Sequence, residues 1–194
     1  YLKVSVVIGM VRSALGSHNV PSGLVVMAIS LALTAAIMGP VVSESGTALG
    51  SLELPDLKGA PTAALLERLR PAFAPWRGFV ERHAGEREIR MLSGLQGAAA
   101  PDGGEPVGPE EPPSFGIILT AFVLTELKEA FSMSFVLLLP FLVIDLVVAN
   151  ILAGMGMFMV SPQMISLPLK LLLFVVADGW MLIARGLVVS YGGG

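Results

Sequence analysis

An uncharged apolar run at residues 24–42 constrains this chain more than any other feature of its sequence. The run is 19 residues long, which is about the length that an α-helix needs to cross the hydrocarbon core of a bilayer. Only 14% of all residues are charged and 54% are hydrophobic, whereas soluble domains carry about a quarter charged residues. This composition indicates a membrane protein or a very large buried interface. Gly39-Pro40 is expected to bend or end the helix near its far side.

Composition also limits the partners and the chemistry of the chain. Its formal net charge is −3 and it has no basic cluster, which argues against nucleic acid as a partner. It has no cysteine, so disulfides and thiolate metal sites are excluded. His18 and His83 lie far apart and lack ligands at metal spacing, so we expect no metal and no cofactor. Because the chain begins at Tyr1 without an initiator methionine, we expect the native protein to extend further.

Residues 43–113 differ in composition from the apolar regions 1–42 and 114–194. They hold eleven of the fifteen acidic residues, and their proline- and glycine-rich ends indicate loops or linkers. Between these ends, Thr62 could cap a short helix that stops near Pro71, and a second amphipathic stretch follows. That stretch covers residues 76–92, with Phe79, Val80, His83, Ile89 and Met91 as candidate apolar contacts. We interpret the segment as a water-facing insert.

The C-terminal region, residues 114–194, is apolar but carries charges within its helical stretches. These stretches are long enough to span a bilayer, or to fold back as hairpins around Pro140 and Pro168. A charge at the centre of a lipid-exposed helix costs roughly 2.5–3.5 kcal/mol. The embedded charges are Asp145, Lys170, Asp178 and Arg185.

Helical spacing places three of these charges on about one face. Asp178 and Arg185 are seven residues apart, and Lys170 and Asp178 are eight apart. Three interpretations remain open, namely pairing between helices or subunits, the lining of a pore or cavity, and snorkelling to the membrane interface. Pairing is favoured, which in turn favours an assembly over a lone hairpin. A proton relay through Asp145 is only weakly indicated.

The stretch GMGMFMVSP, residues 154–162, contains three methionines spaced two apart. On a helix this spacing points successive side chains about 200° apart, whereas in a loop it places them on one side. Gly154 and Gly156 give the backbone freedom, and Pro162 prevents simple continuation of a helix. The pattern predicts a loop between two helices, whose flexible side chains either fill gaps in a core or form an apolar collar.

The same residues resemble a known family. ELKEAF, LPFLVIDLVV, GMGMFMVSP, ISLPLKLLLF and DGW occur within residues 125–191 in the order and spacing of the SctR/FliP family. These are the export-gate membrane proteins of type III secretion systems and bacterial flagella. Residues 1–23 and 79–92 are similar to further family blocks, and ANIL, VSP and RGLVVSY look more like the injectisome branch. The family usually has a contiguous methionine triplet where this chain has Met155, Met157, Phe158 and Met159.

The resemblance implies a homo-pentamer in the bacterial inner membrane, with the insert and much of the assembly on the periplasmic side. SctS/FliQ-like and SctT/FliR-like subunits would complete a closed helical gate in the larger export apparatus, which unfolded secreted proteins would cross. The seal would consist of Met155, Met157, Phe158 and Met159. Buried or inter-subunit charges would be Glu126, Lys128, Asp145, Lys170, Asp178 and Arg185. Helix-breaking positions would be Pro140, Gly154, Gly156, Pro162 and Pro168.

The sequence therefore predicts an all-α fold of membrane-associated helical hairpins with a small helical insert, assembling into a closed ring. An enzyme is disfavoured because the chain has no phosphate-binding loop, no HExxH and no plausible catalytic triad. An ordinary multi-span ion channel or transporter subunit is the main alternative. It would conduct ions at rest, whereas a sealed secretion gate would conduct almost none.

Overall fold

The computed structural model describes residues 1–16, 22–51, 62–98 and 113–192, and these residues form seven α-helices and no strand. The helices are α1 (Leu2–Ala14), α2 (Gly23–Gly50), α3 (Thr62–His83), α4 (Glu86–Ala98), α5 (Phe115–Gly154), α6 (Pro162–Val176) and α7 (Gly179–Gly192). The all-α prediction is confirmed. His18 and much of the proline- and glycine-rich sequence at the ends of the insert lie outside the described residues.

Two helices, α2 and α5, are long and apolar enough to cross a membrane. The pair α6 and α7, which meet at a bend of 59°, would together make a third such segment. By length and composition these segments qualify as membrane spans, and apolar helices of this length need lipid or protein around them.

Prolines do not end the long apolar helices where the sequence predicted. Pro40 lies inside α2, Pro140 inside α5 and Pro168 inside α6. The predicted hairpins around Pro140 and Pro168 are therefore wrong, and Gly39-Pro40 does not end its helix. A proline removes one backbone hydrogen bond, and apolar helices tolerate this loss when local adjustments and neighbouring groups satisfy the freed carbonyl.

The chain divides into two compact units. One consists of Tyr1–Ala35 with Leu127–Gly193, and the other of Ala36–Glu126. The boundaries fall within α2 and within α5, so the unit that holds the insert extends beyond the polar sequence itself.

In the first unit, α5 buries a single stripe of residues. The stripe consists of Ala130, Ser134, Phe141, Val148 and Leu152, at spacings of four and seven that keep one side of a helix facing the core. Other apolar residues of the same helix are exposed, including Val136 at 63% and Leu146 at 62%. An apolar surface of this kind requires lipid or protein to cover it.

In the second unit, the insert packs on the beginning of α5. Ala84, Ile118 and Ala121 are buried there, with Val80, Ile89, Leu92 and Phe122 packed around them. Phe79 is also buried and contacts the ring of His83 with centroids 4.4 Å apart. Of the predicted apolar contacts, Met91 is wrong, because it is exposed on α4.

The break between the two insert helices lies at Gly85 and not near Pro71. Helix α3 continues through Pro71 and Pro75 to His83, so the predicted short helix is wrong. The Gly85 N–H donates to Thr125 Oγ1 at 2.9 Å. A Cβ at this position would collide with the side chains of Glu88 and Thr125, which explains why glycine stands where the insert turns back onto α5.

Candidate functional site

The methionine loop, residues 155–161, joins α5 to α6 and begins with a specific helix termination. The Gly156 N–H donates to the Ala153 carbonyl at 3.0 Å, and the Met157 N–H donates to the Leu152 carbonyl at 2.9 Å. This is the hydrogen-bond pattern of a Schellman motif, which requires a left-handed residue after the helix. Gly156 supplies it with φ +75°.

The end of the loop is fixed by proline. Ser161 is the N-cap of α6 in extended conformation, and Pro162 follows at the start of the helix. Proline suits this position because its missing N–H would have no partner within the helix. The structure therefore has a loop between two helices at GMGMFMVSP, with Gly154 as the last residue of α5.

The apolar side chains of the methionine loop are uncovered in this chain. Met155 is 60% exposed, Met157 43%, Phe158 83% and Met159 101%. Filling a gap in the chain's own core, one of the two interpretations of these methionines, does not fit such exposure. Four large apolar side chains on one exposed loop need a neighbouring surface.

Helices α5 and α6 form a hairpin whose tip is the methionine loop. Lys170 Nζ lies 2.6 Å from Asp145 Oδ2, and the rings of Phe141 and Phe174 lie 6.5 Å apart, centroid to centroid. In each pair, the two residues are equally distant along the sequence from the bond between Met157 and Phe158. The hairpin predicted from the apolar pattern thus exists, but it turns at the glycines and Pro162.

Lys170 joins three helices at a buried position. Its side chain is 8% exposed, and Nζ donates to Asp145 Oδ2 on α5 and to the Ala14 carbonyl at 3.0 Å. Ala14 is the last residue of α1, where a cation also interacts favourably with the helix dipole. Asp145 and Lys170, predicted as charges buried or paired between subunits, are in fact paired with each other within one chain.

A cavity adjoins this ion pair. It has a volume of about 330 Å³ and is bounded by the end of α1, by α5 around Phe141 and by α6 around Ser166. The second carboxylate oxygen, Asp145 Oδ1, is buried and has no hydrogen-bond partner in the described part of the chain. The pair therefore stands at the edge of a partly polar cleft and not in a closed core.

A second buried lysine, Lys3, joins α1 to α5 and α7. It is fully buried, and Nζ lies 2.7 Å from Glu129 Oε2 and 3.4 Å from Ser190 Oγ. The same Nζ lies 4.2 Å from the centroid of the Tyr191 ring, a cation–π contact. The two lysines thus hold both ends of α1 against the apolar helices.

The bend between α6 and α7 lies at Ala177 and Asp178, and Gly179 and Trp180 begin α7. Asp178 has φ 48°, a left-handed conformation that aspartate tolerates better than most residues. A Cβ on the buried Gly179 would collide with the Phe174 ring, which meets the Trp180 ring edge-on at 5.2 Å. The prediction that Lys170 shares a helix face with Asp178 is wrong, because the bend separates them.

The remaining predicted charges lie on α5 and α7. Glu126 is 3% exposed, whereas Lys128 is exposed, as expected for residues two apart on a helix. Asp178 and Arg185 are both exposed. Neither forms an ion pair with any residue in the described part of the chain.

Comparison with known proteins decides the family. The family model described as "FliP family" matches residues 1–187. The chain belongs to the FliP family. This confirms the resemblance noted in the motifs from ELKEAF to DGW.

Relatives of this FliP-family chain include proteins named for translocation, for surface presentation of antigens and for flagellar biosynthesis. It is 36% identical to the "Yop proteins translocation protein R" of Yersinia pestis, over all of this chain and 87% of that protein. It is 32% identical to the "Surface presentation of antigens protein SpaP" of Salmonella typhi, over 98% of this chain and 86% of that protein. It is 39% identical to the "Flagellar biosynthetic protein FliP" of Cereibacter sphaeroides, over all of this chain but 60% of that protein.

One ion pair in this FliP-family chain was not predicted from the sequence. Lys3 and Glu129 were not predicted as a pair, although Glu129 belongs to the family motif ELKEAF. A signal existed, because Lys3 and Arg12 are the only charges in the first 42 residues. A lone lysine in an apolar helix requires a partner, but spacing along the chain could not identify a residue 126 positions away.

Proposed function

We propose that this chain is a core subunit of the type III secretion export gate. In this proposal, five copies join SctS/FliQ-like and SctT/FliR-like subunits in the bacterial inner membrane, with the insert on the periplasmic side. Unfolded secreted proteins cross the resulting channel. The chain acts by forming this passage and its seal, without catalysis or a cofactor.

The exposed methionine loop is the observation that carries the proposal. Met159 and Phe158 are 101% and 83% exposed at the tip of a hairpin that is braced by the Lys170–Asp145 pair. A single loop cannot close a passage, but a ring of such loops brings flexible apolar side chains together. Hydrophobic constrictions of this type block ions by excluding water, and methionines can repack around chains of differing sequence.

The exposed apolar surface of α5 supports assembly. Residues such as Phe135, Val136 and Leu146 are each about 60% exposed, on a helix whose opposite stripe packs against its own chain. Neighbouring subunits and lipid would cover this surface. The name of the Yersinia relative, a translocation protein, supports a role in protein translocation.

Native mass spectrometry of the detergent-extracted complex tests the proposal. The chain is co-expressed with its candidate SctS/FliQ-like and SctT/FliR-like partners, and the copy number is read from the intact mass. We expect a discrete complex with five copies of this chain. A monomer, or a dimer that forms regardless of the partners, would instead favour an ordinary channel or transporter subunit.

A further inference from the structure

Two opposite charges lie close to α7, with Asp178 just before its first residue and Arg185 within it. The residues that α7 buries are Gly179, Ile183 and Leu187, and Arg185 is two positions from each of the last two, so it points about 200° away from them. The Leu182 N–H donates to the Asp178 carbonyl at 3.1 Å, which keeps Asp178 in the register of α7. Its Cα, seven positions before Arg185, therefore lies near the same side of the α7 axis.

These two charges cannot satisfy each other within one chain. At the rise of an α-helix, seven residues separate them by about 10 Å along α7, and no ion pair links either of them to another described residue. Their exposed neighbours on α7 are apolar, including Met181 at 62% and Val189 at 62%. Unpaired charges on such a surface are costly unless a second protein supplies the counter-charge.

The bend before α7 determines the direction in which that partner lies. Helix α7 departs from the axis of α6 by 59°. Most of the separation between Asp178 and Arg185 is therefore perpendicular to the axis of α6, and this component is about 9 Å at helical rise. Packed helices lie about 8–10 Å apart. The offset between the two charges therefore matches the distance to a neighbouring copy placed beside α6.

We propose that Asp178 of one copy forms an ion pair with Arg185 of the next copy. The acidic end of this surface on one copy matches the basic end on the next copy. The contact is therefore head-to-tail, of the kind that closes into a ring. In an apolar interface, one such pair also fixes the register between copies. This inference rests on the proposed ring and names the residues that join its members.

Cysteine cross-linking tests the pair, because the chain has no cysteine of its own. One tagged copy carries Asp178→Cys and a differently tagged copy carries Arg185→Cys, both co-expressed with the gate partners. Because an aspartate–arginine pair holds its Cα atoms farther apart than a disulfide can bridge, the membranes are treated with a short flexible bismaleimide, and we expect a cross-linked dimer that contains both tags. The matched controls place the same substitution on both copies, 178 with 178 or 185 with 185, and a head-to-tail contact should leave these unlinked.

Charge-neutralising variants give a second readout that does not depend on cysteine. Asparagine tolerates the left-handed conformation at position 178, so Asp178→Asn removes the charge with little strain. Asp178→Asn and Arg185→Gln should each lower the assembled fraction roughly tenfold, and the double variant should lower it no further, as for a coupled pair. If the assembled fraction of the double variant falls by the product of the two single losses, the proposal is wrong.

The outcomes separate this pair from the proposed function. If the unsubstituted chain forms the five-copy complex but the mixed cysteine copies remain unlinked, the ion pair is wrong and the gate function stands. The same conclusion follows if either charge links instead to a different subunit of the complex. If the unsubstituted chain forms no ring, both the pair and the proposed function fail.

Discussion

Lys170 shows how one buried charge can organise several apolar helices. Its ammonium contacts a carboxylate on α5 and the last carbonyl of α1, while its own backbone belongs to α6. Apolar contacts alone are non-directional, so they do not by themselves hold α5 and α6 in one register. The ion pair supplies this specificity, and it lies within the hairpin that carries the methionine loop.

Lys170→Met should destabilise the hairpin strongly. The variant keeps the apolar stem but leaves the Asp145 carboxylate without its counter-charge. Removing one member of a buried pair costs about 3–5 kcal/mol, and we expect the lower part of that range because the Asp145 side chain is 39% exposed. Thermal unfolding of the purified chain in detergent measures the loss.

A double-variant cycle provides the control for this prediction. Adding Asp145→Asn to Lys170→Met removes the orphaned charge, so the combined loss should be smaller than the sum of the two single losses. If the losses are additive, Lys170 and Asp145 do not interact as the structure shows.

Sequence reasoning at the residue scale identified which charges need partners but not which partners they have. Asp145 and Lys170 were singled out because apolar helices rarely carry charges. Their pairing with each other depends on the hairpin register, which no local pattern specifies. Lys3 was overlooked for the same reason, since Glu129, Ser190 and Tyr191 meet it only in the folded unit.

At the level of elements, the apolar helices turn at left-handed residues and not at the prolines inside them. Pro140 and Pro168 were predicted as breaks, yet α5 and α6 continue through them. A proline costs a helix one hydrogen bond, whereas a left-handed residue redirects the chain and satisfies the last carbonyls. Gly156 does this at the methionine loop. The loop between α5 and α6 was predicted from the neighbouring glycines and Pro162, and the structure has a loop at that position.

Gly156→Ala should loosen the end of α5, whereas Gly154→Ala should not. A Cβ at either position would have open space around it, so only backbone conformation distinguishes the two variants. At Gly156, where φ is +75°, an alanine costs about 1–2 kcal/mol. At Gly154, the last residue of the helix, alanine should be neutral or stabilising.

Thermal unfolding of the two purified variants measures this difference. Hydrogen exchange at the amides of Gly156 and Met157 gives a local readout, since the Schellman hydrogen bonds protect both. Equal stability of the two variants would contradict the left-handed termination of α5.

At the scale of the whole molecule, the exposed surface is more informative than the core. The chain buries one stripe of α5 in the first unit and a small cluster in the second, and it leaves large apolar residues of α2, α5, α6 and α7 uncovered. Sequence composition predicted such a surface, because the hydrophobic content far exceeds what a single small core can use. The identity of the subunits that cover it came from the family resemblance, since composition does not distinguish lipid from protein.

If the methionine loops seal the resting gate, ion leakage through the resting complex depends on their side chains. The variant replaces Met155, Met157 and Met159 with alanine in the assembled complex. Its control replaces two exposed methionines that lie outside the loop and outside α7, Met27 at 47% and Met91 at 56%. Membrane potential and potassium efflux are then recorded in cells that are not secreting.

We expect the loop variant to depolarise the membrane and to release potassium severalfold faster than the control, because the collar loses apolar volume and admits water. Replacing the same three residues with leucine should largely preserve the seal. An alanine variant that assembles normally and holds the same membrane potential as the control would show that the methionine loops do not seal the gate.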